Sequence, residues 1–96
     1  MININQNELE IVKNILKEFF KDSEIRVFGS RITDKVKPYS DLDLAIISKD
    51  PIDLKKMFKA KEAFVDSKLP FRGDLLDWQK IDENFRKIIE NKYELL

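Results

Sequence analysis

The stretch Val27-Phe28-Gly29-Ser30 … Ser40-Asp41-Leu42-Asp43-Leu44-Ala45-Ile46-Ile47 constrains this chain more than any other: a glycine-serine pair, ten residues, then two aspartates one residue apart. Apolar runs lie on both outer sides, and short β-branched runs bounded by Gly, Ser and Asp read as neighbouring strands with polar residues at their ends. Gly29 closes the first run, because glycine tolerates positive φ and close backbone approach. Gly29-Ser30 therefore reads as a sharp strand-to-helix turn. Alternation puts Asp41 and Asp43 on one side of the second strand with Cα atoms about 6.6 Å apart, so both reach one metal ion or a pair.

Elsewhere the periodicity is helical. Leu9, Val12, Ile15, Leu16, Phe19 and Phe20 mark a first helix between about residues 7 and 21. Ile52, Leu54, Met57, Phe58, Phe64 and Val65 mark another, with Pro51 suited to its first turn and Pro70 closing the segment. Lys55, Lys56, Lys59 and Lys61 interleave with that pattern and read as its wet face. Residues 72–78 form a third strand, and Ile81, Phe85, Ile88, Ile89 and Tyr93 a last helix with Asp82 as N-cap. A short helix after Ser30 and a polar connection over residues 33–40 complete the order α-β-α-β-α-β-α. The fold class is α/β (α+β), a small mixed sheet of about three strands flanked by helices. Residues 1–96 read as one domain.

Absences narrow the chemistry. With no Cys and no His, disulfides, thiol nucleophiles, Ser-His triads and ordinary zinc sites are excluded, which leaves carboxylates, Lys, Tyr, Ser or a bound metal. Eighteen basic residues balance eighteen acidic ones, against the positive field of direct nucleic-acid binding. No apolar run approaches a membrane span, and the start lacks a leader pattern, so a cytoplasmic location is expected.

A third carboxylate on an adjacent strand completes a two-metal site, and Asp74 is the best placed. Asp77 lies an odd number of residues further on and faces the opposite side of a regular strand. Leu76 and Trp78 share parity with Asp74; burial under a helix is the plainer reading, a partner-binding surface the sharper one. Backbone N–H groups and the Ser30 hydroxyl suit phosphate oxygens, and Arg31 beside them offers positive charge. Mg²⁺ fits such hard oxygen donors, with substrate phosphate completing its shell.

Gly29-Ser30, ten residues and Asp41-x-Asp43, within Phe28-Gly29-Ser30-Arg31 and Ser40-Asp41-Leu42-Asp43-Leu44, resemble the signature of the DNA polymerase β-like nucleotidyltransferase superfamily. The short chain and Asp74-Leu75-Leu76-Asp77-Trp78 resemble its minimal nucleotidyltransferases, often encoded beside a HEPN-domain protein. The resemblance implies Asp41, Asp43 and Asp74 as catalytic ligands of two Mg²⁺ ions, with Gly29, Ser30 and Arg31 at the nucleotide. It also implies an antitoxin that moves AMP from ATP to a tyrosine of a partner HEPN ribonuclease toxin, in a hetero-oligomer with that toxin. Ile32 and Asp34 stand where relatives often carry a small residue and a glycine. Asp34 adds negative charge near the phosphates and motivates a second reading, an antitoxin that neutralises its toxin by binding alone. Transfer to a small molecule is the third, ranked last because the chain is too short to build a pocket domain.

Overall fold

Asn5 sets the first helix: its side chain accepts from the Glu8 N–H at 2.8 Å while the Glu8 carboxylate accepts from the Asn5 N–H at 3.0 Å. This reciprocal cap starts α1 (Gln6–Phe20). In the computed structural model, which describes residues 2–96, the chain continues through β1 (Glu24–Phe28), a 3-10 turn (Ser30–Ile32), β2 (Leu42–Ile47) and α2 (Leu54–Val65). It then runs through β3 (Gly73–Asp77), a second 3-10 turn (Trp78–Lys80), α3 (Glu83–Asn91) and β4 (Glu94–Leu95). The α2 helix starts after Asp53, whose side chain accepts from the Lys56 N–H, so Pro51 precedes the helix instead of occupying its first turn. Asp82 caps α3 as expected, donated to by the Phe85 N–H at 2.8 Å.

The strands form one mixed sheet in the order β3-β2-β1-β4. β1 runs antiparallel to β2 and β4, whereas β2 and β3 are parallel and joined by the α2 crossover. Four strands stand where about three were expected. The extra one, β4, is two residues long and pairs Arg26 with Leu95 and Val27 with Glu94, too short to leave an alternation signal.

Alternation divides the side chains between two layers. Ile25, Val27, Leu42, Leu44, Ile46 and Leu75 face α1 and α2, where they meet Val12, Leu16, Phe20, Met57, Ala60 and Phe64. Gly73 permits the close approach of α2, because a Cβ there would lie 2.5 Å from the Phe64 ring. The other face carries Ala45, Trp78 and Ile89, ringed by Phe28, Ile47, Leu76, Phe85 and Tyr93. Trp78 is buried, which supports the plainer reading of that side chain. Its ring has two cations near it, with the Arg26 and Arg86 guanidinium carbons 5.0 and 5.4 Å from the ring centroid. Arg86 also donates twice to the Trp78 carbonyl, at 3.0 and 2.8 Å.

Asp77 turns to the α2 side, as its parity requires. Buried there, it accepts from the Ile52 N–H at 2.8 Å and the Gln79 N–H at 3.0 Å, tying the end of β3 to the segment before α2. Asp77→Ala strands the Ile52 donor away from water. A loss of about 1–3 kcal/mol is expected, read as a lower urea midpoint with unchanged slope.

Candidate active site

The parallel register between β2 and β3 sets Asp43 directly opposite Asp74. Both project to the sheet face away from α1 and α2, and the partner of Asp43 on the other side is Phe28, the last residue of β1. Gly29 follows at once with φ +80°, and a Cβ at that position would run into the Asp43 carboxylate. Glycine is therefore required twice, for its dihedral and for the space the acid occupies. The turn it opens is a single 3-10 turn, in which the Ile32 N–H donates to Gly29 and the Thr33 N–H to Ser30. The Ser30 hydroxyl has no hydrogen-bond partner among the described residues.

Three of the expected acids thus act on one another. Burial, then the charge on Asp74, then that on Asp41, push the Asp43 carboxyl from 3.8 up to about 6. Crowding of like charges is the condition that a divalent cation relieves, and hard carboxylate oxygens are the donors Mg²⁺ prefers. Among the described residues no three side chains close into a complete metal cage. The donor set fits an ion that draws its remaining ligands from water and substrate phosphate.

Arg31 does not join this group. Its guanidinium is 5% exposed and donates to the carbonyls of Asn3, Pro38 and Ser40 at 2.9, 3.0 and 3.0 Å, with its carbon 3.9 Å from the Phe71 ring centroid. Its three donors are committed to backbone carbonyls that brace the connection leading to Asp41, which turns it away from the acids. Ile32 likewise belongs to the core, and Asp34 is exposed.

Beside the acids opens a cleft of about 640 Å³, walled by Asp41 and Asp74 with Phe64 and Phe71 among its lining. Tyr39, Lys61 and Arg72 also line it, and sequence reasoning missed all three. Arg72 and Tyr39 each lie two residues before a candidate ligand, the parity already used to pair Asp41 with Asp43. Lys61 was assigned to the wet face of its helix, and nothing in the local pattern distinguishes it from its neighbours. Neither Lys61 nor Arg72 forms an ion pair among the described residues, so two cations face the cleft uncommitted.

Residues 9–96 match the family described as the nucleotidyltransferase domain. The chain is 48% identical over 95 residues to the Haemophilus influenzae protein named "Probable protein adenylyltransferase MntA", a match spanning 99% of this chain and 83% of that relative. It is 33% identical over 75 residues to the Methanocaldococcus jannaschii protein named "Putative protein adenylyltransferase MJ1217", covering 78% of this chain and 76% of the other. A crystal structure from Shewanella oneidensis superposes with a TM-score of 0.73 at 18% identity, covering 97% of this chain and 71% of that one. A mutant of the toxin-antitoxin pair MntA-HpeT superposes with a TM-score of 0.71 at 21% identity, covering 97% and 72%. Both solved structures share the fold.

The raised Asp43 carboxyl has a consequence for stability. Because the folded state binds this proton more tightly than the unfolded chain, ionisation costs the fold, fully above pH 6 and progressively less as pH falls toward 3.8. Asp43→Asn is expected to stabilise the metal-free protein by about 1 kcal/mol at pH 7.5, after solvent screening, which is ~4–8 °C in Tm. The gain should vanish near pH 4. Melting curves of both proteins across that range check it.

Proposed function

The chain belongs to the nucleotidyltransferase domain family, and on that footing we propose that it transfers AMP from ATP to a tyrosine hydroxyl of a partner HEPN ribonuclease toxin, as the cytoplasmic antitoxin of the pair. The observation that carries the reading is the pairing of Asp43 with Asp74 across two parallel strands, with Asp41 near enough to add to their mutual repulsion. Support for a protein acceptor comes from two relatives named as protein adenylyltransferases and a fold shared with a toxin-antitoxin protein. Among the described residues no helix is long and apolar enough to cross a membrane.

In this reading Asp41, Asp43 and Asp74 hold Mg²⁺, which when bound neutralises the triphosphate and sharpens the electrophilicity of its α-phosphorus. The remaining work falls to the chain. The Ser30 hydroxyl and the backbone at Gly29 hold phosphate oxygens, in a turn that presses against Asp43. Lys61 and Arg72 add positive charge to the cleft beside Asp41 and Asp74. Asp74, the exposed member of the acid set, takes the proton of the incoming hydroxyl.

Incubating the chain with its cognate HEPN protein, Mg²⁺ and ATP labelled at the α-phosphate should label a HEPN tyrosine. Asp41→Asn and Asp43→Asn should each lower the rate by more than the ~10–100-fold that loss of an outer-shell metal partner costs. Failure to label a verified, native HEPN partner sinks the proposal. Full protection of cells by the double variant at unchanged complex affinity would instead identify an antitoxin that acts by binding.

A further inference from the structure

We propose that the chain carries an acceptor of its own, Tyr39, and adenylylates that hydroxyl intramolecularly when no partner fills the cleft. The inference rests on the transfer reading above and extends it to a second substrate. Tyr39 lines the same cleft as Asp41 and Asp74, and it is 80% exposed. Among the described residues its hydroxyl has no hydrogen-bond partner. Exposure by itself is ordinary for a surface side chain, and what singles out Tyr39 is that it stands exposed at the rim of the cleft that holds Asp41 and Asp74.

Its placement is built, not incidental. The buried Arg31 donates through Nη2 to the Pro38 carbonyl and through Nε to the Ser40 carbonyl, so the two residues that flank Tyr39 are both clamped by one guanidinium. The Ser40 hydroxyl accepts from the Lys37 N–H at 2.9 Å and closes the same turn. A surface loop of this composition would ordinarily sample many conformations; here the backbone on each side of the ring is pinned two residues from Asp41. Holding an acceptor beside a reaction centre substitutes a unimolecular step for a bimolecular one, which favours transfer even to a group of ordinary nucleophilicity.

The chain has one other tyrosine, and it is unsuited. Tyr93 is half-buried on the α3 side of the sheet, its ring 4.5 Å from the Arg26 guanidinium carbon. Only Tyr39 combines exposure with a place at the cleft.

The step balances without any further reagent. The Tyr39 phenolic oxygen attacks the α-phosphorus of ATP and forms a phosphodiester bond. The bond from that phosphorus to the α,β-bridging oxygen breaks, and pyrophosphate leaves with its electron pair. The phenolic proton passes to Asp74 and on to water.

The test uses the full chain alone with Mg²⁺ and ATP labelled at the α-phosphate, followed by intact mass and peptide mapping. Addition of one AMP at Tyr39, at a rate per molecule unchanged on dilution, is the expected result. Tyr39→Phe should melt at the wild-type temperature and lose the label, while Tyr93→Phe keeps it. An unlabelled chain that binds MgATP and labels its HEPN partner overturns the inference and leaves the transfer reading standing. Label surviving in Tyr39→Phe, or a rate per molecule that falls on dilution, also overturns it. A chain that neither labels itself nor its partner defeats both.

Discussion

Two carboxylates held side by side on neighbouring strands are the constraint around which this fold is arranged. Left to themselves, Asp43 and Asp74 favour a slipped or separated pairing, and the parallel β2–β3 ladder prevents it. The opposing forces are unequal. A Coulomb penalty of roughly 1–3 kcal/mol at the half-solvated edge of a sheet is offset by one or two fully buried aliphatic side chains at about 1.5–3 kcal/mol each. β2 alone contributes Leu42, Leu44 and Ile46, all with no exposed surface, on the layer opposite the acids. A one-residue slip that relieved the repulsion would turn those three toward the wrong face, so the apolar layer dictates the register and the polar layer accepts it.

The sequence made much of this legible, because alternation is a backbone property. Asp41, Asp43 and Asp74 were assigned to one side, Asp77 to the other, and the latter proves to be a buried backbone acceptor. Gly29 was read as a turn with close backbone approach, and the neighbour it makes room for is Asp43 itself. What escaped depends on tertiary geometry. Arg31 sits next to the glycine-serine turn in sequence, yet its guanidinium satisfies three carbonyls contributed by residues 3, 38 and 40, a demand invisible until the loop is closed. Lys61 differs from the other α2 lysines only in where the end of its helix meets the segment after it. The two-residue β4 owes its existence to an available edge of β1, and pattern cannot announce so short a pairing.

The two departures from the common motif find different explanations. Ile32 is a core residue that packs with the α1 and α2 layer, so its size serves the fold. Asp34 is exposed on the connection, and no contact among the described residues accounts for it. The chemistry-bearing groups otherwise come from strand ends, one turn, one loop and, with Lys61, the α2 helix, all mounted on a sheet with a packed layer on each face. Such a platform keeps the acids rigid while leaving a cleft open beside them, an arrangement economical enough for 96 residues.

The single tryptophan, buried beside Arg26 and Arg86, gives the molecule a built-in optical reporter. Trp78 follows β3 four residues after Asp74 and is roofed by α3, so its fluorescence emission registers the docking of that helix on the sheet. Ligand occupancy at the acid end and detachment of the α3 layer are therefore distinguishable in solution without any extrinsic dye: an emission maximum that moves to the red signals loss of the roof, whatever has happened in the cleft.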